Sequence, residues 1–157
     1  MKTAIFCYSY HHGNTERIAR RVAAVLEAKL MTPDEANVSG LAEYDLVGFG
    51  SGIYFSKHHK NLLKFVDSMA EMKGKKAFIF STAGRGEATM AGNHKALRTR
   101  LERKGFVIVG EFSCYAWDTF FFLRLIGGIN KGRPNEDDLA KAETFAMDLV
   151  KKLGISH

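Results

Sequence analysis

The chain has 157 residues, of which 46% are hydrophobic, enough for one domain with a normal hydrophobic core. Lys and Arg total 23 against 17 Asp and Glu, so the formal net charge is +6. This charge favours acidic partners in general, but no basic run is long enough to indicate a specific nucleic-acid site. We therefore expect a single domain over residues 1–157 that does not recognise nucleic acid specifically.

Two apolar segments could in principle be a signal peptide or a membrane span. The run Ala4 to Tyr8 is too short for the hydrophobic region of a signal peptide, and polar residues follow it. The segment Phe120 to Ile126 is too short to cross a bilayer and is interrupted by Arg124. It is either core packing at the end of a sheet or an exposed surface for a dimer or a partner. We expect a cytoplasmic protein without a membrane span.

Apolar runs alternate with helical periodicity along the chain, which is the pattern of a parallel sheet covered by helices on both faces. The runs that predict strands are Thr3 to Ser9, Lys29 to Thr32, Leu46 to Gly50, Ala77 to Ser81, and Phe106 to Val109 with a possible continuation to Tyr115. Helices are predicted from Glu16, around Leu62 to Met69, from Met90 to Lys104, and from Pro134 onward. Cys7 and Cys114 lie in strand-like runs and are expected to be buried thiols. The fold class is α/β, a doubly wound five-stranded parallel sheet in a three-layer α/β/α arrangement.

The segment Ser9 to Thr15 joins the first strand to the first helix. Backbone N–H groups of such a turn, together with the positive end of the helix dipole, bind anions such as phosphate. Ser9 and Thr15 add hydroxyl donors, and Gly13 lets the backbone approach a ligand. The segment contains no lysine, so it would bind phosphate through dipoles and hydrogen bonds. The alternative is an ordinary turn in which Asn14 or Thr15 caps the helix.

Two more loops follow the third and fourth strands, at the edge where open parallel sheets bind ligands. Gly48, Gly50 and Gly52 are interpreted as freeing the backbone there, and Tyr54 and Phe55 offer flat faces to a planar ring. The loop after the fourth strand has small residues at Thr82-Ala83-Gly84, and Trp117 past the fifth strand is a further aromatic candidate. For each aromatic residue taken alone, a place in the core is favoured somewhat over a ligand contact.

Other motifs are weak. Gly50-Ser51-Gly52 begins a dinucleotide fingerprint, but Phe55 stands at the third glycine position, and no Walker lysine pattern occurs. The pairs His11-His12 and His58-His59 do not predict a metal site, because adjacent side chains diverge and no cysteine or carboxylate spacing supports them.

Taken together, the loops resemble the flavodoxin family over nearly the whole chain. The resemblance is carried by Ser9 to Thr15, Tyr44 to Tyr54, Phe80 to Gly84, and the tail Gly127 to Asn135, which is similar to the end of small single-domain flavodoxins. It implies the strand order 2-1-3-4-5, with FMN bound where the order reverses between strands one and three.

The resemblance implies noncovalent FMN as the cofactor, with the phosphate in the first loop and the ring between the loops after strands three and four. The cofactor-binding residues it implies are Ser9, Tyr10, His11, His12, Gly13, Asn14, Thr15, Ser51, Gly52, Ile53, Tyr54, Phe55, Thr82, Ala83, Gly84 and Trp117. Tyr10 and His12 stand where hydroxyl residues are more common in flavodoxins, so His11 or His12 would donate to the phosphate instead.

The function implied by the resemblance is electron transfer between redox partner proteins through FMN, with no catalytic side chain and no metal. The alternatives are an FMN-dependent NAD(P)H:quinone or flavin reductase and a flavin-free interaction module on the same fold. The acidic surface usual in flavodoxins is absent, so we expect partners with acidic docking surfaces and a monomer or weak dimer. A positive rim around the flavin is predicted from Lys57, His58, His59, Lys60 and Arg85.

Overall fold

The computed structural model describes residues 1–10, 13–36, 38–119 and 121–155, and of these only the backbone at residues 38, 39, 121 and 122. Within these ranges the strands are β1 (Thr3–Tyr8), β2 (Lys29–Met31), β3 (Leu46–Tyr54), β4 (Lys57–His58), β5 (Lys76–Ala83) and β6 (Val107–Tyr115). The α-helices are α1 (Asn14–Leu26), α2 (Lys60–Ser68), α3 (Met90–Arg103) and α4 (Glu136–Leu153). None of these helices is long and apolar enough to cross a membrane.

The strands form a sheet of order β2-β1-β3-β5-β6, in which each neighbouring pair is parallel. β4 pairs with the end of β3 in antiparallel register and lies off this path. Because β4 has only two residues, it gives no alternating pattern in the sequence, and it was not predicted. The main sheet confirms the doubly wound fold and the predicted strand order. The order reverses between β1 and β3, so a crevice opens at the carboxyl ends of these strands.

The side chains of the strands alternate between two buried layers. On the face covered by α2 and α3 lie Phe6, Phe49 and Ile79, and on the face covered by α1 and α4 lie Phe78 and Phe80. The thiols of Cys7 and Cys114 belong to this second layer and are not linked to each other, as the sequence predicts. Burial raises the pKa of both thiols to about 12, so they remain protonated.

Gly48 and Gly50 belong to β3, as the predicted strand Leu46 to Gly50 has them, but the interpretation that they free the backbone was wrong. In the register of the sheet Gly48 lies beside Phe78 and Gly50 beside Phe80. A Cβ added at Gly48 would lie 2.3 Å from the Phe78 ring, and one at Gly50 would lie 2.2 Å from the Phe80 ring. Because Gly48 and Gly50 have no side chains, β3 leaves space that the rings of Phe78 and Phe80 fill.

The ends of two helices differ from the prediction. Gly13, and not Asn14 or Thr15, occupies the cap position of α1, with φ of 63° and no side-chain cap hydrogen bond. α4 begins at Glu136 rather than at Pro134, because Asn135 is its cap. The Asn135 side chain accepts a hydrogen bond from the N–H of Asp138, and the Asp138 carboxylate accepts one from the N–H of Asn135.

Candidate functional site

A cavity of about 740 Å³ opens at the carboxyl ends of the central strands. It is lined by Ser9, Tyr10, Asn14, Thr15, Gly52, Ile53, Tyr54, Phe55, Thr82, Ala83, Gly84, Ala116, Trp117, Asp118, Thr119 and Arg124. The structure thus brings together residues from all the loops that the sequence singled out. Gly13 and Ser51 do not line the cavity, and His11 and His12 lie outside the described residues.

The first loop, which lines the cavity, contains hydrogen-bond donors without a protein partner. Among the described residues, the hydroxyl oxygen of Ser9 is buried and has no hydrogen-bond partner. The first turn of α1 follows at once, and its N–H groups donate no hydrogen bond to a capping side chain. An anion bound here would be stabilised both by the partnerless hydroxyl and by the uncapped N-terminus of the helix.

Asn14 and Thr15 hold neighbouring loops rather than capping α1. The side-chain amide of Asn14 donates to the backbone carbonyl of Trp117 over 3.0 Å. The hydroxyl of Thr15 forms a buried 2.8 Å hydrogen bond with the hydroxyl of Thr82, and either one can donate. The start of α1 is thereby fixed to the end of β5 and to the loop after β6.

The turn between β3 and β4 is strained. Phe55 and Ser56 both have positive φ, 49° and 60°. Two consecutive residues with positive φ are typical of the type I′ hairpin turn, in which Asn-Gly is usual, and side chains with a Cβ each cost about 1 kcal/mol there. The turn places the Phe55 side chain, which is 83% exposed, at the mouth of the cavity.

His59 lies in an aromatic cluster and not on a charged rim. Its ring stacks on Tyr8 with centroids 4.0 Å apart and meets the edge of Tyr54 at 5.2 Å. Its ring Nδ1 accepts a hydrogen bond from the backbone N–H of Asn61 at the start of α2. The backbone N–H of His59 donates to the Ser51 hydroxyl. Ser51 is fully buried and accepts this hydrogen bond from the residue that follows β4.

His58 is buried, so the expectation that it adds positive charge to the rim was also wrong. Its Nε2 lies 3.2 Å from the backbone carbonyl of Phe80, an arrangement in which the ring nitrogen donates. Burial is the main cause that lowers the pKa of His58 to about 3, and the nearby His94 lowers it further. His58 is therefore neutral at physiological pH. Lys57, Lys60 and Arg85 are exposed, as predicted.

We expect acidification to destabilise the fold through His58. Below pH of about 6.5 the unfolded chain binds a proton that the folded protein excludes until its pKa of about 3, so stability falls as pH falls across this window. Between about pH 8 and about pH 5 the loss attributable to this residue is about 2 kcal/mol. Urea unfolding of the wild type and His58→Gln at both pH values measures it. Equal acid sensitivity of the two proteins would contradict the prediction.

The segment after β6 forms the remaining wall of the cavity. Asp118 and Ile129 pair through two backbone hydrogen bonds of 2.9 and 2.8 Å, and the Trp117 indole N–H donates to the carbonyl of Gly127. The side-chain amide of Asn130 donates to the carbonyl of Gly84, the small residue of the loop after β5. The tail that follows β6 is thus held against the loop that follows β5.

Four lining residues were not predicted from the sequence: Ala116, Asp118, Thr119 and Arg124. Ala116 and Asp118 adjoin Trp117 and Thr119 follows them, so the aromatic candidate already marked their segment. Arg124 lies in the short 3₁₀ helix Phe121–Ile126 and is exposed. The sequence signal for Arg124 was its position as a cation within an apolar segment. Of the apolar segment, Leu125 and Ile126 are exposed surface, and Phe120 lies outside the described residues.

Comparisons with known proteins agree with this geometry. A family model described as a flavodoxin domain matches residues 5–110. An uncharacterized protein of Methanocaldococcus jannaschii is 48% identical over 151 residues, which cover 96% of this chain and 99% of that protein. A flavodoxin of Maridesulfovibrio salexigens is 27% identical over 122 residues, which cover 71% of this chain and 84% of that one. This chain belongs to the flavodoxin domain family, and the resemblance in its loops is confirmed.

Solved structures confirm the fold. The structure of a flavodoxin from the domain Archaea superposes with a TM-score of 0.73 at 15% identity and covers 99% of this chain and 100% of that one. Oxidised flavodoxin 2 from Bacillus cereus superposes with a TM-score of 0.70 at 18% identity, covering 97% of this chain and 99% of that one.

Proposed function

We propose that the protein binds FMN noncovalently in this cavity and transfers electrons between redox partner proteins. The observation that carries the proposal is the pairing of a partnerless buried hydroxyl at Ser9 with the uncapped N-terminus of α1. Ser9 and the first residues of α1 line a cavity with aromatic side chains on its walls, at the point where the strand order reverses. Family membership and the fold support FMN as the ligand that matches this combination.

The phosphate would be held by hydroxyl and backbone donors. If the Thr82 hydroxyl donates to Thr15, the proton of the Thr15 hydroxyl is available to a phosphate oxygen. Ser9 supplies a second hydroxyl, and the N–H groups at the start of α1 supply further donors. A hydrogen bond to a charged group contributes about 1.5 to 3 kcal/mol, so a few such donors can hold a dianion without a lysine.

The ring would lie among the aromatic and small residues of the other loops. Tyr54, Phe55 and Trp117 offer flat apolar faces, and Gly52 and Gly84 allow the backbone to approach. FMN, when bound, supplies the one- and two-electron redox chemistry, while this chain binds and orients it and excludes water from part of its surface. No side chain of the chain is assigned a catalytic acid or base role.

The partner in this proposal has an acidic surface around an apolar contact. Phe55, Leu125 and Ile126 are 83%, 88% and 71% exposed and lie in the two segments that form the mouth of the cavity. Lys57 and Arg124, both exposed, belong to the same two segments. Opposite charge would accelerate the encounter and orient the partner, and the apolar side chains would complete the contact. The protein would act in the cytoplasm as a monomer or weak dimer.

Titration of the flavin-free protein with FMN tests the proposal. We expect saturable binding of one FMN per chain, seen as a change in flavin fluorescence, and much weaker binding of riboflavin, which lacks the phosphate. A protein that does not saturate with FMN would contradict the proposal and support a flavin-free interaction module. Rapid bleaching of the bound flavin on mixing with NADPH would instead support the NAD(P)H-dependent reductase.

The exposed cations should also tune the flavin. A screened charge at about 8 Å contributes about 0.5 to 1 kcal/mol, which is about 20 to 45 mV for one electron. Because positive charge stabilises reduced, anionic flavin, replacing Lys57 and Arg85 by glutamine is expected to make the midpoint potential more negative. Spectroelectrochemical titration at low ionic strength measures the shift, and high salt should reduce it. Equal potentials would show that these cations serve only docking.

A further inference from the structure

A buried polar cluster lies between α3 and the sheet, outside the cavity. His94 of α3 is fully buried, with its Nε2 2.8 Å from the Ser81 hydroxyl and its Nδ1 3.1 Å from a carboxylate oxygen of Glu111. The spacing is similar to that of a Ser-His-carboxylate hydrolase site. Ser81 is fully buried as well, so no substrate reaches its hydroxyl and the cluster has no hydrolytic use.

The hydrogen-bond directions fix where the protons are. The Ser113 hydroxyl points its proton at the carbonyl of Gly86, and the Ser81 hydroxyl donates to Ser113 over 2.9 Å. The Ser81 oxygen must therefore accept the proton of His94 Nε2. The carboxylate of Glu111 can only accept, so Nδ1 of His94 also carries a proton. His94 is thus the doubly protonated, positively charged imidazolium.

The surrounding charges agree with this assignment. Among the described residues, the titratable groups that face His94 are Glu111 from β6 and His58 from β4, with Arg98 of α3 bound to the far side of Glu111. Burial alone raises the pKa of Glu111, but hydrogen bonds from His94 and Arg98 outweigh it and lower the pKa to about 2. Glu111 is therefore a carboxylate, and His58, at 4.9 Å between ring centroids, is neutral.

The cluster reaches both loops that would hold the ring. Through Ser81 and Ser113 it is connected to the carbonyl of Gly86, which ends the loop after β5. Through the His58 ring it supports the hairpin that carries Tyr54 and Phe55. His94 is therefore positioned behind both loops without touching the cavity.

We propose that His94 is a positioning residue of the candidate flavin site, whose doubly protonated ring holds both ring-facing loops in place. Removal of the ring would leave the Ser81 oxygen without its donor and the Glu111 carboxylate with Arg98 alone, so both loops would lose a support. FMN affinity is then expected to fall when the His94 ring is replaced. This consequence for affinity depends on the proposed function, whereas the coupling of His94 to the loops does not.

The coupling is tested by NMR on the flavin-free protein. Imidazole ¹⁵N shifts are expected to show a proton on both nitrogens of His94, as the hydrogen-bond directions require, and in His94→Gln the amides of residues 82–86 and 55–58 should both shift from their wild-type positions. In Ser113→Ala, residues 82–86 should shift while residues 55–58 keep their wild-type positions. A singly protonated His94, or loop amides that are unchanged in His94→Gln, would overturn the proposal.

The consequence for the ligand is tested by FMN titration of the wild type and the variants. The dissociation constant of His94→Gln is expected to be about tenfold higher than that of the wild type. Ser113→Ala should also weaken binding, whereas its matched control Ser68→Ala, which removes a hydroxyl that donates to the carbonyl of Phe65 away from the loops, should leave binding unchanged. Equal dissociation constants for His94→Gln and the wild type would overturn the role in binding. Failure of the wild type to bind FMN would contradict the proposed function, and the NMR result would still decide the coupling.

Discussion

Gly48→Ala is expected to destabilise the fold by about 3 kcal/mol, although it adds a single methyl group. The new Cβ would lie 2.3 Å from the ring of Phe78, which is fully buried and cannot move towards solvent. Overpacking of a buried site forces the ring or the strand to shift, and here β3 is held between β1 and β5. Urea unfolding of the variant and the wild type measures the change in the free energy of unfolding.

Two further variants make this result specific. Gly92→Ala is the control, because Gly92 lies on an exposed part of α3 where an added Cβ meets nothing within 4 Å. It is expected to stabilise the fold by about 0.5 to 1 kcal/mol, since alanine favours helix. Phe78→Leu combined with Gly48→Ala should be less destabilised than the sum of the two single variants. Additive losses would show that the clash is not the cause.

The layers of the fold were predictable because they depend on periodicity. Alternating apolar runs and helical stripes are properties of neighbouring residues, and the strands and helices they predicted all occur, with ends that differ by a few residues. The strand after Phe106 continues without a break to Tyr115, so its possible continuation is confirmed. The loop after the first strand, with Ser9, Gly13 and Thr15, also gave the place of the cavity, because parallel topology puts such loops at one edge.

Pairwise packing across the sheet could not be predicted in the same way. The glycine at position 48 looks the same in a sequence whether it bends a loop or makes room for a ring, and only the register with Phe78 distinguishes the two. His58 likewise reads as a surface cation beside Lys57. It is buried because the two-residue strand β4 turns it under the hairpin, towards the carbonyl of Phe80.

Hydrogen-bond partners distant in sequence account for the other differences. Asn14 and Thr15 stand where residues of their type cap helices, but their side chains bind Trp117 and Thr82, which lie far along the chain. The cap position is left to Gly13, whose positive φ a residue with a side chain rarely adopts. Capping the helix and bonding to a distant residue compete for the same side chain. The neighbouring residues in the sequence do not decide which of the two it does.

Thr15→Ala is expected to weaken FMN binding by about 1.5 to 3 kcal/mol, the value of a hydrogen bond to a charged group, without unfolding the sheet. The Thr15 hydroxyl is buried against Thr82, and both side chains line the cavity beside the start of α1. Fluorescence titration of the variant and the wild type with FMN measures the loss, and thermal unfolding checks that the fold is retained.

Three comparisons test whether the loss of FMN affinity comes from a contact between Thr15 and the phosphate. Thr15→Ser keeps the hydroxyl and should bind FMN nearly as well as the wild type. Thr144→Ala, which removes an exposed hydroxyl from α4, should leave binding unchanged. Riboflavin carries the same ring without the phosphate, so Thr15→Ala should weaken riboflavin binding little. Equal losses for FMN and riboflavin would show that Thr15 shapes the ring site through Thr82, and unchanged FMN affinity would show that the first loop does not hold the phosphate.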